Sequence, residues 1–153
     1  MKGKIRKLLR LSPEERGWLL KAYGMMVVVD VGLRCLGFYR VFQLMSRNGG
    51  VGRKGSLVLM RETEVDRIWR VVDIARRNHF CRVQCLHRSL VVYWLLKSAG
   101  VGVSLCIGVQ KEGGVLKAHA WVEHRGQMVG EPAYVQQVYA PLMRRDRLRG
   151  VTV

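Results

Sequence analysis

The sequence is short of acidic residues and of cysteine. Its 153 residues include 11 acidic and 27 basic side chains, which gives a formal net charge of +16 and a pI near 10.6. The four cysteines lack the paired spacing of small secreted domains, and the basic N-terminus has no apolar signal core behind it. These absences predict a reduced, cytoplasmic protein that builds its core without disulfides.

An uninterrupted apolar stretch of membrane-spanning length is also missing. The most apolar region, residues 18–45, is broken by Lys21, Asp30, Arg34 and Arg40. A spanning helix needs about 20 predominantly apolar residues. We therefore expect no transmembrane span, whereas a helix that lies on a membrane surface is compatible with this region.

The excess of positive charge favours acidic partners such as nucleic acid, anionic lipid or an acidic peptide. The sequence has no helix-turn-helix signature, no zinc-finger spacing and no interleaving of aromatic and basic residues of the RNA-binding kind. We therefore expect no nucleic-acid partner. A basic module that binds nucleic acid or an anionic surface without catalysis is the alternative to an enzyme.

Helical patterns come first along the chain. Ser12 followed by Pro13 and Glu15 predicts a capped helix start, with the Ser12 and Glu15 side chains forming a capping box. The apolar pattern continues past Gly24, which weakens the helix without ending it. A second helical stretch is predicted from Val27 to Met45.

A glycine-rich basic segment at 49–61 is predicted to be a flexible linker. It separates a helical N-terminal region, 1–48, from a core, 62–153, and we expect one compact domain overall. In the core, Thr63 is predicted to cap a helix that ends near Arg77. Another apolar helix is predicted from Cys85 to Ser98, with Gly100 ending it.

The pattern changes after this helix. Residues 101–110 are apolar and rich in valine, and residues 116–124 alternate so that His119, Trp121 and Glu123 share one strand face. Arg125 and Gly126 suit a tight hairpin turn. The predicted class is therefore α+β, with helices followed by an antiparallel meander.

Three residues in this order can form one thiol-dependent site. Cys85 opens a helix, where the helix dipole and free N–H groups favour a thiolate and can bind an oxyanion. His119 lies within an apolar strand, and Glu131 ends the next strand, which a hairpin places beside the first. These are the parts of a nucleophile, its base and the group that orients the base.

Each of these residues also has a simpler interpretation. Cys85 alone can be a small buried hydrophobe, His119 a histidine bonded to a backbone carbonyl, and Glu131 a surface residue next to Pro132. Cys81 is the rival nucleophile, but we expect it in the loop ahead of the helix.

Other roles for nearby residues are weaker. Cys81, Cys85, His87 and His119 can be read as a zinc set, although CxxC and HxxxH spacings are lacking, so no metal is expected. Gln84 can donate to an oxyanion or simply face solvent. Trp121 can wall the site from water or fill the core.

The two motifs resemble one family. The segment from Cys85 to Val101 begins Cys-Leu-His-Arg-Ser-Leu, and Ala118 begins Ala-His-Ala-Trp-Val-Glu, followed by Gly130-Glu-Pro. With Ile107-Gly-Val-Gln-Lys between them, these motifs are similar to those of the lasso-peptide leader peptidases, also called lasso peptide biosynthesis B2 proteins. The resemblance spans most of the chain.

The resemblance implies a transglutaminase-like or papain-like core, with a catalytic helix packed on an antiparallel sheet. It implies a cysteine protease that removes the leader from a ribosomally made precursor, with Cys85 as nucleophile, His119 as base and Glu131 as third member. Family members commonly have Asp or another polar residue at that third place. The implied partners are the precursor peptide, a separate leader-recognition protein of the B1 type, and the lasso cyclase. No cofactor is expected, and a transglutaminase-like acyl transferase is the enzymatic alternative.

Overall fold

The computed structural model describes residues 11–48, 62–80, 83–132 and 134–145. Helix α1, Pro13–Cys35, begins as predicted. The Ser12 Oγ accepts the Glu15 N–H at 3.2 Å, and the Glu15 carboxylate accepts the Ser12 N–H at 2.8 Å. This reciprocal pair satisfies two N–H groups that the first turn leaves without helical partners, so the capping box is confirmed.

The predicted second stretch from Val27 to Met45 has the wrong bounds. Helix α1 continues unbroken past Gly24 to Cys35, and helix α2, Gly37–Asn48, begins two residues later. The break lies at Leu36, whose N–H caps the Gly32 carbonyl at 2.8 Å, and at Gly37, which has a φ of 76°. Glycine adopts this left-handed conformation without the penalty that a Cβ imposes, so Gly37 ends α1.

Helix α3, Glu62–Arg77, starts one residue before Thr63, so the prediction that Thr63 caps it is wrong. The predicted apolar face is correct, because Val65, Ile68 and Val72 are buried and Trp69 is partly buried against the core. Residues of α1 pack against both α3 and the following helix. The predicted linker, 49–61, lies outside the described residues.

Helix α4, Cys85–Ser98, has the predicted bounds. Leu90, Tyr93 and Leu96 have no exposed surface, so this helix lies at the centre of the core. Gly100, with a φ of 83°, follows the helix end as predicted.

The sheet has four antiparallel strands in the order β3-β2-β1-β4. The strands are β1, Ser104–Glu112, β2, Val115–His124, β3, Gln127–Met128, and β4, Ala140–Arg145, with the short helix α5, Val135–Val138, before β4. The mixed helix and antiparallel sheet class is confirmed, and so is the turn at Arg125 and Gly126, where both φ angles are positive.

The fourth strand was not predicted. Strand β4 returns to pair with the free edge of β1, so the sheet is more than a meander. A buried hydrogen bond joins the sheet to α4, because the Ser89 Oγ donates to the Ala120 carbonyl of β2 at 2.7 Å. This contact holds the first half of α4 against the middle of β2. None of the helices within the described ranges is long and apolar enough to cross a membrane.

Candidate active site

Cys85 is the first residue of α4 and is partly buried. The His119 side chain interacts with its thiol, and this interaction is the main reason that the pKa of Cys85 lies below its ordinary value. Burial opposes the effect, whereas the backbone N–H groups of Ala120 and Leu86 lower the pKa further. The first turn of a helix carries N–H groups without helical acceptors, so it favours a thiolate.

His119 lies on β2 opposite Gly108 of β1. Its interactions with Cys85 and with Glu131 raise the pKa of His119 to about 9, although burial opposes the change. The lowered thiol pKa and the raised imidazole pKa are two consequences of one contact. The contact therefore shifts the pair toward its thiolate–imidazolium form.

Glu131 lies on the other side of the imidazole. Its Oε1 atom is 3.6 Å from the His119 Nε2 atom, which is buried and has no hydrogen-bond partner among the described residues. The carboxylate is therefore within ion-pair range but slightly too distant for a hydrogen bond.

The sequence prediction placed Glu131 at the end of a strand, whereas it lies in a bend beyond β3. The strand ends at Met128, and one further backbone bond joins the Val129 N–H to the Val122 carbonyl at 2.9 Å. Gly130, with a φ of 65°, then turns the chain. Burial raises the pKa of Glu131, but His119 and Arg88 outweigh it and keep the pKa below its ordinary value.

Arg88 and Trp69 belong to this site and were not predicted. The Arg88 Nη2 atom donates to the Glu131 Oε1 atom, and both side chains are largely buried. The guanidinium also lies over the Trp69 ring, 5.8 Å from its centroid. Arg88 follows Cys85 by three residues on α4, a spacing that places both on one helix face and that could have identified it.

Two aromatic rings flank His119. Trp121 stacks beside it with ring centroids 6.2 Å apart, and the Tyr139 ring lies 5.2 Å away. Trp121 is 3 % exposed and its Nε1 donates to the Glu123 carboxylate at 3.0 Å, so it both borders the site and fills the interior. No sequence pattern had pointed to Tyr139.

Gly108 makes the position of Trp121 possible. A Cβ at residue 108 would lie 2.8 Å from the Trp121 ring and 2.8 Å from the Ala140 carbonyl oxygen. Carbon atoms are normally about 3.5–4.0 Å apart in contact. Glycine at this place therefore lets the indole lie across β1 next to His119.

For the other residues predicted near this site, the structure records no part in the cluster. Gln84 is the exposed N-cap residue of α4, and its backbone N–H donates to the His87 Nδ1 atom at 3.4 Å. The other ring nitrogen of His87 lies 3.2 Å from the Asp30 carboxylate. Cys81 lies outside the described residues.

The zinc alternative is not supported. His87 binds Asp30 of α1 instead of joining Cys85 and His119. In the described ranges, no three His, Cys, Asp or Glu side chains are grouped so that they could hold a metal ion.

A thiol at a helix N-terminus, an imidazole close to it and a carboxylate beside the imidazole are the groups that a cysteine-dependent site needs, and here they lie where a helix packs against an antiparallel sheet. The family comparison agrees, because the model of the transglutaminase-like superfamily matches residues 23–144. The chain therefore belongs to the transglutaminase-like superfamily, whose members are generally cysteine-dependent enzymes. No curated protein and no solved structure matches the chain significantly.

Proposed function

We propose that this protein is a cysteine peptidase that removes the leader from a ribosomally made lasso precursor. The observation that carries the proposal is the position of Cys85 at the first turn of α4, close enough to His119 that each residue shifts the pKa of the other. The superfamily supports cysteine chemistry, and the leader-peptidase role rests on the resemblance of the two motifs around these residues. Glu131 is the proposed third member, since it faces the opposite side of the imidazole.

The proposed reaction has two stages. The Cys85 thiolate attacks the scissile carbonyl carbon, so that an S–C bond forms and the N–H groups at the start of α4 receive the oxyanion. The C–N bond then breaks, and His119 gives its proton to the leaving amine, which is the N-terminus of the core peptide. His119 next takes a proton from water, whose oxygen attacks the thioester carbonyl. The S–C bond then breaks, which returns Cys85 as a thiolate and releases the leader as a carboxylic acid.

The same thioester can react with an amine instead of water, which would make the protein an acyl transferase. The superfamily is compatible with both outcomes. The side chains at the site generate the thioester in either case, so only the acceptor that reaches it separates the two reactions.

Mass spectrometry of a candidate lasso precursor tests the proposal. The precursor is incubated with the protein in water enriched in ¹⁸O, with and without a separate leader-recognition protein. A peptidase releases a leader whose new carboxylate carries ¹⁸O, whereas an acyl transferase yields a leader joined to an amine. We expect the labelled leader, and faster release when the leader-recognition protein is present.

Two variants complete the test. Cys85→Ala should lose leader release by at least about a thousandfold, because removal of a nucleophile abolishes the covalent route. Cys35→Ala is the matched control, since Cys35 is an exposed thiol at the end of α1, and it should retain full activity. Undiminished release by Cys85→Ala would reject the mechanism.

Only the net charge supports a role in binding nucleic acid. Such binding would weaken steeply as salt is raised and would be unaffected by Cys85→Ala. We expect instead that a DNA duplex does not compete with the precursor peptide at physiological salt.

A further inference from the structure

Arg88 occupies an unusual place for a permanently charged side chain. Its side chain is only 14 % exposed, and that of Glu131, to which it donates, is 13 % exposed. The Trp69 ring covers the guanidinium from the side of α3. An arginine that contributed only to solubility would face water, so this burial requires another explanation.

Arg88 and His119 share one carboxylate oxygen. The Glu131 Oε1 atom that accepts from Arg88 is also the atom nearest to the His119 Nε2. In the described residues, the charged groups recorded facing Glu131 are Arg88 from α4 and His119 from β2, while α3 contributes only the uncharged Trp69. Both neighbours of the carboxylate can therefore carry positive charge.

The two side chains differ in whether their positive charge is permanent. In the proposed reaction His119 loses its proton to the leaving amine and regains one from water, whereas a guanidinium stays charged at every accessible pH. A largely buried carboxylate without a cation is strongly unfavourable, and it would take up a proton or move toward water. Arg88 therefore keeps a positive charge beside Glu131 at the stages when His119 is neutral.

We propose that Arg88 is a positioning residue, which keeps Glu131 ionised and held beside His119 while the imidazole changes charge. It acts through Glu131 and contacts neither the thiol nor the scissile bond. This role rests on the proposed functions of Cys85 and His119.

The surroundings of the pair restrict its movement. Gly130 lies so close to Trp69 that a Cβ there would be 2.1 Å from the indole, so the same ring lies against both the bend and the guanidinium. Helix α3 thus supports both Arg88 and the residue before Glu131. The bend at Gly130 restricts the backbone of Glu131, and Arg88 holds its carboxylate.

Alkylation of Cys85 by iodoacetamide across pH tests the role without any peptide substrate. The reagent reacts with the thiolate, and peptide mapping assigns the product to Cys85 separately from the other cysteines. The midpoint is measured for Arg88→Gln, which removes the charge, and for Arg88→Lys, which keeps it. Arg77→Gln is the matched control, since it removes an exposed arginine of α3 that pairs with Asp73.

Without the guanidinium, Glu131 should take up a proton at higher pH and support the imidazolium less well. We expect Arg88→Gln to move the alkylation midpoint upward by about one pH unit or more. Arg88→Lys and Arg77→Gln should stay close to the wild type. In the Glu131→Gln background, Arg88→Gln should cause no further shift, because the group through which it acts is absent.

Three results would overturn the proposal. The first is an unchanged midpoint in Arg88→Gln, and the second is an equal shift in Arg88→Lys, which would point to packing alone. The third is a shift of full size in the Glu131→Gln background, which would show that Arg88 acts directly on the thiol. If Arg88→Gln does not fold, ¹³C NMR of the wild-type Glu131 carboxyl decides, because titration at or above the ordinary glutamate value contradicts the proposal.

The alkylation series separates this role from the proposed function. A precursor that stays intact while the midpoints shift as expected would reject the leader-peptidase proposal and leave the role of Arg88 standing. In leader release, Arg88→Gln should lower kcat about ten- to a hundredfold, as expected for a misplaced catalytic group, with a smaller change in KM.

Discussion

Replacing Gly130 by alanine tests whether the bend before Glu131 depends on its contact with Trp69. The added Cβ would lie 2.1, 2.3 and 2.5 Å from three carbon atoms of the indole. Since carbon atoms in contact are about 3.5–4.0 Å apart, the ring or the bend must move by more than about 1 Å. Either movement displaces Glu131, which is the next residue.

Gly126→Ala is a control that isolates this clash. Gly126 also has a positive φ, 78° against 65° for Gly130, but no atom of the described residues lies within 4 Å of its added Cβ. The backbone strain of an alanine in this region costs about 1–2 kcal/mol at either position. Overpacking against Trp69 adds about 1–3 kcal/mol at Gly130 alone.

Thermal unfolding followed by circular dichroism measures the difference. For a chain of this length, 1 kcal/mol lowers Tm by about 2–4 °C, so Gly126→Ala should lose about 2–8 °C and Gly130→Ala about twice as much. In the Trp69→Ala background, Gly130→Ala should cost no more than Gly126→Ala does. Leader release, measured where both variants are folded, should fall only in Gly130→Ala.

Equal losses of Tm in the two glycine variants would refute this reasoning, because the clash would then contribute nothing. Wild-type rates of leader release in a folded Gly130→Ala would refute the link between the bend and Glu131.

The contacts around Cys85 make two further predictions. The pKa of Cys85 is lowered and that of His119 is raised to about 9, so leader release should rise as pH passes upward through the thiol pKa. It should fall again above about pH 9, where the imidazolium loses the proton that the leaving amine needs, and a pH–rate profile with no decline there would contradict the assignment. Ser89→Ala should cost about 1 kcal/mol in unfolding by denaturant and lower leader release, because the bond to Ala120 ties the helix of Cys85 to the strand of His119. Ser12→Ala should lower the free energy of unfolding by a similar amount while leader release stays normal. Equal rates of leader release in the two variants would show that the bond between Ser89 and Ala120 is not needed for activity.

Local patterns were sufficient to predict most elements of this protein. The capping box at Ser12, the bounds of α4 and the turn at Arg125 and Gly126 depend on residues a few positions apart. Such interactions are encoded within one stretch of sequence. The break at Gly37 was missed although its signal is also local, because the apolar pattern on both sides of it was read as one helix.

The main residues of the candidate site could be predicted from the sequence, but the distances between them could not. Cys85 at a helix start, His119 in an apolar strand and the carboxylate of Glu131 were each visible as residue types in a suitable order. Their distances depend on how α4 packs on β2 and on the bend after β3. Neither of these is a property of any single stretch.

Residue patterns along the chain predicted most helices and three of the four strands, and showed that a thiol, an imidazole and a carboxylate follow one another in order. Packing between distant segments brings Arg88 and His119 to one oxygen of Glu131, lays Trp69 against Gly130 and returns β4 to the edge of β1. The difference lies in the range of the interactions. Capping and turn formation act between near neighbours, whereas burial, ion pairing and strand pairing join residues whose separation the chain alone does not specify.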